Sequence, residues 1–128
     1  MGTNEQKSLY ERLGGASGIT AIVDDIVENH MTNPAIKARF LPLKENPEHF
    51  AKTRQNLIDF LAAGSGGPEV YRGKEMIPAH KGMNVSKSEY MDAIDDILSA
   101  LAKHQIDEQT QKDVLAITFA LKDQIVGQ

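Results

Sequence analysis

Apolar residues recur at intervals of three and four through most of this chain, the spacing of helices that each bury one face. Ile19, Ile22, Val23, Ile26 and Val27 form one such stripe, with Asp24, Asp25, Glu28 and Asn29 opposite and His30 at its border. Ser17 stands where an N-cap would open that helix. Asn46-Pro47 opens a second, whose inner face reads Phe50, Leu57, Phe60 and Leu61, with Thr53 and Asn56 close by. The longest follows Ser86, where Ser-x-x-Glu to Glu89 makes a capping box, and carries Tyr90, Ile94, Ile97, Leu98 and Leu101. A last helix starts at Asp107 and carries Val114, Leu115, Ile117, Thr118, Leu121 and Ile125. Shorter pieces fill the gaps. A second capping box, Ser8 to Glu11, precedes Gly14-Gly15, and Asn33-Pro34 sets proline at the start of a short helix with Ile36 and Phe40. Leu41-Pro42-Leu43 reads as an irregular connector, and Gly64-Ser65-Gly66-Gly67-Pro68 as a helix stop. No segment alternates as a strand does. The pattern is all-α: two long antiparallel helices last, two medium ones before them, and a loop-rich stretch over 68–85.

Composition narrows the field. A chain of 128 residues, 41% apolar and 25% charged, fits one folded domain with a polar, frayed tail over 1–7. Net charge is −4 and the basic residues are scattered, which gives no footing for a nucleic-acid or anionic-membrane surface. No apolar run nears the ~20 residues of a membrane span, and residues 1–7 lack a signal-peptide core, so the cytoplasm is the expected compartment. There is no cysteine, which excludes disulfides, thiolate metal sites and c-type haem attachment. Phosphate-binding loops, dinucleotide fingerprints and nucleophile elbows are absent. The acidic pairs Asp24-Asp25 and Asp95-Asp96 read as solvated helix faces.

The remaining chemistry gathers at Tyr71–Val85. His80 follows Met76, Ile77 and Ala79 and precedes Lys81 and Gly82. A neutral imidazole with hydrocarbon on one side and cations on the other suits a haem iron, whose macrocycle needs an apolar bed and whose propionates need positive charge. A lone histidine before a turn is ordinarily a surface or core-edge residue, so the wider pattern has to carry the reading.

That pattern resembles the truncated haemoglobins, and among them the first group of two-over-two globins. The matching pieces are Leu9-Tyr10-Glu11-Arg12-Leu13-Gly14-Gly15, Asn33-Pro34 through Phe40, Ala63–Pro68, Tyr71-x-Gly73, Met76 and Ala79-His80-Lys81-Gly82, over nearly the whole chain. The resemblance implies a fold with the family's B and E helices packed on its G and H helices around one non-covalent haem b per chain. It makes His80 the proximal iron ligand and Phe40 the ring stacked on the porphyrin. Met76, Val85 and Ala93 would line the proximal and lateral haem face, and Tyr71 and Lys74 would meet propionates. The absence of tryptophan agrees with the first group.

On the distal side the sequence departs from the family, which places Phe-Tyr where this chain has Ile26-Val27 and often uses glutamines where it has Thr53 and Leu57. A donor to bound oxygen stabilises it by ~1–3 kcal/mol, so losing the tyrosine should speed oxygen release by up to about a hundredfold. The expected distal pocket comprises Val27, His30, Thr53, Asn56 and Leu57. Thr53 and Asn56 are either replacement donors or solvent-facing polar residues. His30 is either a helix-edge residue bonded to solvent or a neighbouring carbonyl, or an oxygen donor or sixth iron ligand. His49 and His104 read as helix-end residues away from iron. Function follows as reversible binding of O2, NO or CO. The alternatives are a haem-based gas or redox sensor with an internal sixth ligand, nitric oxide dioxygenation with an external reductase, and a globin-fold interaction domain without haem.

Overall fold

The structure, a computed structural model, describes residues 7–128. The expected frayed tail therefore lies outside the described residues, apart from the exposed Lys7. Among the described residues there are seven α-helices: α1 (Leu9–Arg12), α2 (Gly15–Thr32), α3 (Lys37–Phe40), α4 (Pro47–Gly64), α5 (Met76–His80), α6 (Lys87–Lys103) and α7 (Glu108–Ile125). A 3-10 helix over Leu41–Glu45 joins α3 to α4 where the sequence suggested an irregular connector. No strand forms among these residues, and a single parallel bridge links Val85 to Val126.

Local chemistry explains most helix ends. Ser8 and Ser86 each accept from the backbone N–H three residues on, with Glu11 and Glu89 returning the bond to the cap's own N–H. Asn46 accepts from the N–H of His49, and Pro47 takes the first helical position, where no backbone donor is needed. Two expectations fail. Ser17 is not a cap, because Gly14, at φ 97°, lets the chain turn directly from α1 into α2 three residues earlier. Pro34 lies in the turn before α3, whose N-cap is Ile36, because Asn33 already ends α2 by an N–H···O bond to Asn29.

α2 packs on both α4 and α6, and α6 packs on α7, giving two helix pairs with α2 at the seam. The main core joins Leu13, Ile19, Ile22, Val23 and Ile26 to Ile58 and Ala62 of α4, Ala100 and Leu101 of α6, and Val114 of α7. The α4 face therefore turns from the expected one. Ile58 and Ala62 are buried, whereas Leu57 is 40% exposed and Phe50 and Phe60 are half-buried on the side away from that core. A second cluster, Val85, Tyr90, Ile94 and Ile125, fixes the far ends of α6 and α7, where the Tyr90 hydroxyl also donates to the Thr118 carbonyl at 2.5 Å.

Charged residues tie the periphery. Arg12 of α1 donates to Asp113 of α7 at 2.7 Å, and Arg54 of α4 reaches Asp24 of α2 at 2.5 Å. Asp25 pairs with His104 at 2.6 Å and with Lys103 at 3.2 Å, and the His104 bond holds its carboxyl below the usual range. Asp24 and Asp25 are thus interhelical partners and not a bare solvated face, although exposed pairs of this kind are worth only about 0–1 kcal/mol each.

Gly18 shows how tightly α1 is tucked against α2, since a Cβ there would lie 2.4 Å from the Leu13 carbonyl oxygen. Alanine normally favours a helix over glycine by about 1 kcal/mol. Here Gly18→Ala should instead destabilise by roughly 1–3 kcal/mol, because backbone has to move. A urea midpoint at or above that of the parent would contradict this account.

Candidate functional site

His80 ends α5, a helix of five residues that packs on α7. Pro78 is tolerated there because it lies in the first turn. The Nδ1–H of His80 donates to the Met76 carbonyl at 2.8 Å. A carbonyl only accepts, so the proton sits on Nδ1 and the lone pair on Nε2 is left for a metal. Beyond His80 the chain is sewn to the end of α7. Gly82 N–H donates to the Gln128 carbonyl and Gly127 N–H to the Val85 carbonyl, both at 2.8 Å. Gly82 and Asn84 take left-handed backbone angles, φ 87° and 47°, to make that turn.

Around His80 the sequence-predicted residues fall into three settings. Met76 packs against the second core cluster, in which Val85 is itself buried, and Ala93 is half-buried on α6. Tyr71 lies edge-on to Phe60 with ring centroids 5.1 Å apart, and its hydroxyl donates to the Lys74 carbonyl at 2.5 Å. A Cβ at Gly73 would lie 2.5–2.7 Å from the hydroxyl end of the Tyr71 side chain, so a larger residue there would push that ring aside. The Lys74 side chain is exposed.

Between α2, α3, the 3-10 segment and α4 lies a small apolar recess of about 20 Å³ lined by Val27, His30, Phe40, Leu43, Phe50, Thr53, Arg54 and Leu57. Its surface is carbon throughout, so Thr53, Arg54 and His30 present hydrocarbon or ring carbon to it. Five expected site residues thus meet here: Val27, His30, Phe40, Thr53 and Leu57. Asn56, expected as a donor, does not line the recess, and Arg54 is drawn away to Asp24. His49 is exposed, as expected, and His104 is the C-cap of α6.

His30 is buried, with 7% of its surface exposed, and its Nδ1–H donates to Asp96 Oδ2 at 2.8 Å. Asn33 Nδ2 donates to both Asp96 carboxylate oxygens at 3.1 and 3.2 Å, and Asn29 Nδ2 to the Asp96 carbonyl at 3.0 Å. Asp96 is therefore an interior anchor, which corrects the reading of Asp95-Asp96 as a solvated face. Asn29, His30 and Asn33, three polar residues along one side of α2, were the available signal that an acceptor must face them. Leu43 and Arg54 were also missed, because the 3-10 segment and the turn of α4 bring them in.

The residues fit a haem. The histidine is held in the tautomer that offers Nε2, the recess beyond is free of competing polar groups, and large apolar side chains lie open on the helices concerned. Those are Leu57 on α4, Ile77 on α5 and Phe119 on α7, at 40%, 48% and 45% exposure. Among the described residues α5 packs on α7 and makes no comparable contact with α4.

Two packed helix pairs, an apolar recess and a carbonyl-oriented histidine define a two-over-two globin. The chain belongs to the bacterial-like globin family, whose model matches residues 8–126, and within it to the group 1 truncated hemoglobins. It is 34% identical to a group 1 truncated hemoglobin of Tetrahymena thermophila over 124 residues, covering 97% of this chain and 86% of that protein. A group 1 truncated hemoglobin of Synechocystis is 31% identical over 120 residues, 88% of this chain and 90% of that one. In fold, the chain matches the crystal structure of the truncated hemoglobin from Tetrahymena pyriformis in its Fe(III) form, with a TM-score of 0.86 at 24% identity over 95% of this chain and all of that one. Globin membership implies haem binding and, with it, a diatomic gas ligand. None of the helices among the described residues is long and apolar enough to cross a membrane.

Burial holds the His30 imidazole below its ordinary pKa despite the pull of Asp96. The unfolded chain thus takes up this proton at higher pH than the folded one. Stability is complete above about pH 6.5 and falls with pH between there and the depressed folded value. His30→Phe should remove this component, so that between pH 7 and pH 5 the parent loses more stability than the variant. Parallel pH curves for the two proteins in chemical denaturation would refute it.

Proposed function

We propose that this chain is a single-domain cytoplasmic globin that holds one non-covalent haem b through His80 and admits a diatomic gas to an aliphatic distal pocket. The observation that carries the reading is the 2.8 Å bond from His80 Nδ1–H to the Met76 carbonyl, which fixes the imidazole with Nε2 free to ligate. When bound, the haem supplies the iron that coordinates the gas. The chain supplies the setting. Phe40 would lie against the porphyrin, Met76, Val85 and Ala93 would give it apolar contact, and Tyr71 and Lys74 would meet its propionates.

Across the plane, Val27, Thr53 and Leu57 exclude water, which slows oxidation of ferrous iron. The all-carbon surface of the recess favours NO and CO, whose bound forms need less polar help than oxygen, and lets oxygen leave quickly. A sensor with His30 as sixth ligand has less behind it, because the buried His30 ring is stacked on Phe40 and shows carbon to the recess. Nitric oxide dioxygenation would use the same pocket with electrons from a separate reductase.

Reconstitution with haem should give a Soret band in ferric, ferrous and carbonmonoxy forms, and His80→Ala should abolish or severely weaken it. An unchanged spectrum in the variant would remove His80 from the iron. Placing a phenol in the pocket should also reveal its polarity. In Val27→Tyr, oxygen release by stopped flow should slow by roughly ten- to a hundredfold, the effect of one new hydrogen bond of ~1–3 kcal/mol. No change would mean that a donor already reaches the ligand.

A further inference from the structure

Phe40 is the last residue of a four-residue helix, and the chain passes straight from it into the 3-10 segment, so no long helix holds its ring in place. Two side-chain systems do so instead. On one side, neighbouring Arg39 forks onto Glu89 of α6 at 2.5 and 3.0 Å and donates to the Met83 carbonyl at 3.0 Å. On the other, the Phe40 ring stacks on His30, with centroids 4.7 Å apart and planes 28° from parallel. The His30 ring cannot turn freely, since its Nδ1–H is given to Asp96, and Asp96 is gripped in turn by Asn33 and Asn29. An ionised carboxylate only accepts, so the neutral imidazole has no second N–H to offer a gas in the recess.

We propose that His30 is a positioning residue: Asp96, acting through His30, sets the tilt of Phe40 and thereby how firmly the chain grips the porphyrin. The proposal rests on the haem-binding reading given above. It turns a histidine beside the distal pocket from a group that would touch the ligand into one that acts only through the ring next to it. Asp96 reaches Phe40 most directly through His30, with Asn33 at the turn into α3 as a second route, so the effects of changing Asp96 and His30 should fall short of adding.

The test measures haem transfer from the carbonmonoxy and ferric proteins to excess apomyoglobin, for the parent, Asp96→Asn, His30→Leu and the double variant. Heteronuclear NMR of the protein as purified reports the His30 tautomer and the proximity of the His30 and Phe40 rings. His30→Leu should speed haem loss about three- to tenfold, as expected for one stacked ring pair. Asp96→Asn should change it in the same direction, the double variant should lose haem more slowly than the product of the two single effects, and the imidazole proton should lie on Nδ1. Additive effects, unchanged transfer rates in variants that are merely less stable, or a proton on Nε2 would each overturn the proposal. If the parent takes up no haem, the haem reading fails by itself, and NMR still decides whether Asp96, His30 and Phe40 are linked: an Nδ1 proton with close rings upholds the linkage, and any other result ends it.

Discussion

Burial of one face of α2 is the constraint from which the rest of the molecule follows. Ile19, Ile22, Val23 and Ile26 are each at most 8% exposed and meet side chains from α1, α4, α6 and α7 in one core. Fully burying each such side chain is worth about 1.5–3 kcal/mol, more than any surface ion pair in the structure can supply. With that face committed, the next turns of α2 have no freedom of orientation. Val27 must look toward α4, and His30 must enter the interior between α6 and α3. A buried imidazole needs a partner, and Asp96 on α6 provides it. The polar anchor and the apolar recess are thus two sides of one helix whose rotation hydrophobic packing has fixed.

The proximal side is built differently. α5 has too few residues to hold itself, and a helix of its length is marginal without tertiary support. His80 is placed by contacts that converge on it from α7: the packing of α5 there, the Val85–Val126 bridge, and the bonds from Gly82 and Gly127. One histidine is positioned by a rigid long helix and a buried carboxylate, the other by a short helix braced from outside. In both, an acceptor holds the Nδ1 proton, and in both the geometry of the second contact decides what the ring can do.

Helix number, helix type and the short helix that ends at His80 were legible in the sequence, because periodicity and capping boxes are local signals that tertiary packing did not oppose. Ser8–Glu11, Ser86–Glu89 and Asn46-Pro47 all act as their types imply. The failures share one physical origin, the chain's freedom to choose among several local solutions. Gly14 makes a tight turn that bypasses Ser17, and Asn33 ends α2 so that Pro34 has no helix to open. Rotation of α4 was hidden for a related reason: Leu57 and Ile58 are adjacent, equally apolar, and only contact with α2 decides which is buried. That Asp96 is the acceptor was illegible because its partners lie on α2 and its C-cap, 63 to 67 residues away in sequence. The site residues of the resemblance, by contrast, follow from matched motifs, and the structure brings Val27, His30, Phe40, Thr53 and Leu57 to one recess while leaving Asn56 outside it.

The stitching of the His80 loop to the residues after α7 bears on how the chain matures during synthesis. Domains fold broadly from the N-terminus as they emerge from the ribosome, at about 5–20 residues per second. α2 and α4 emerge early, but the face of α2 is not fully buried until Ala100 and Leu101 of α6 and Val114 of α7 join it. The loop carrying His80 cannot settle then, because Val85 pairs with Val126 and Gly82 with Gln128. The His80 loop is therefore braced only once the residues after α7 are in place, so the last few residues of the chain decide when this part of the fold becomes rigid.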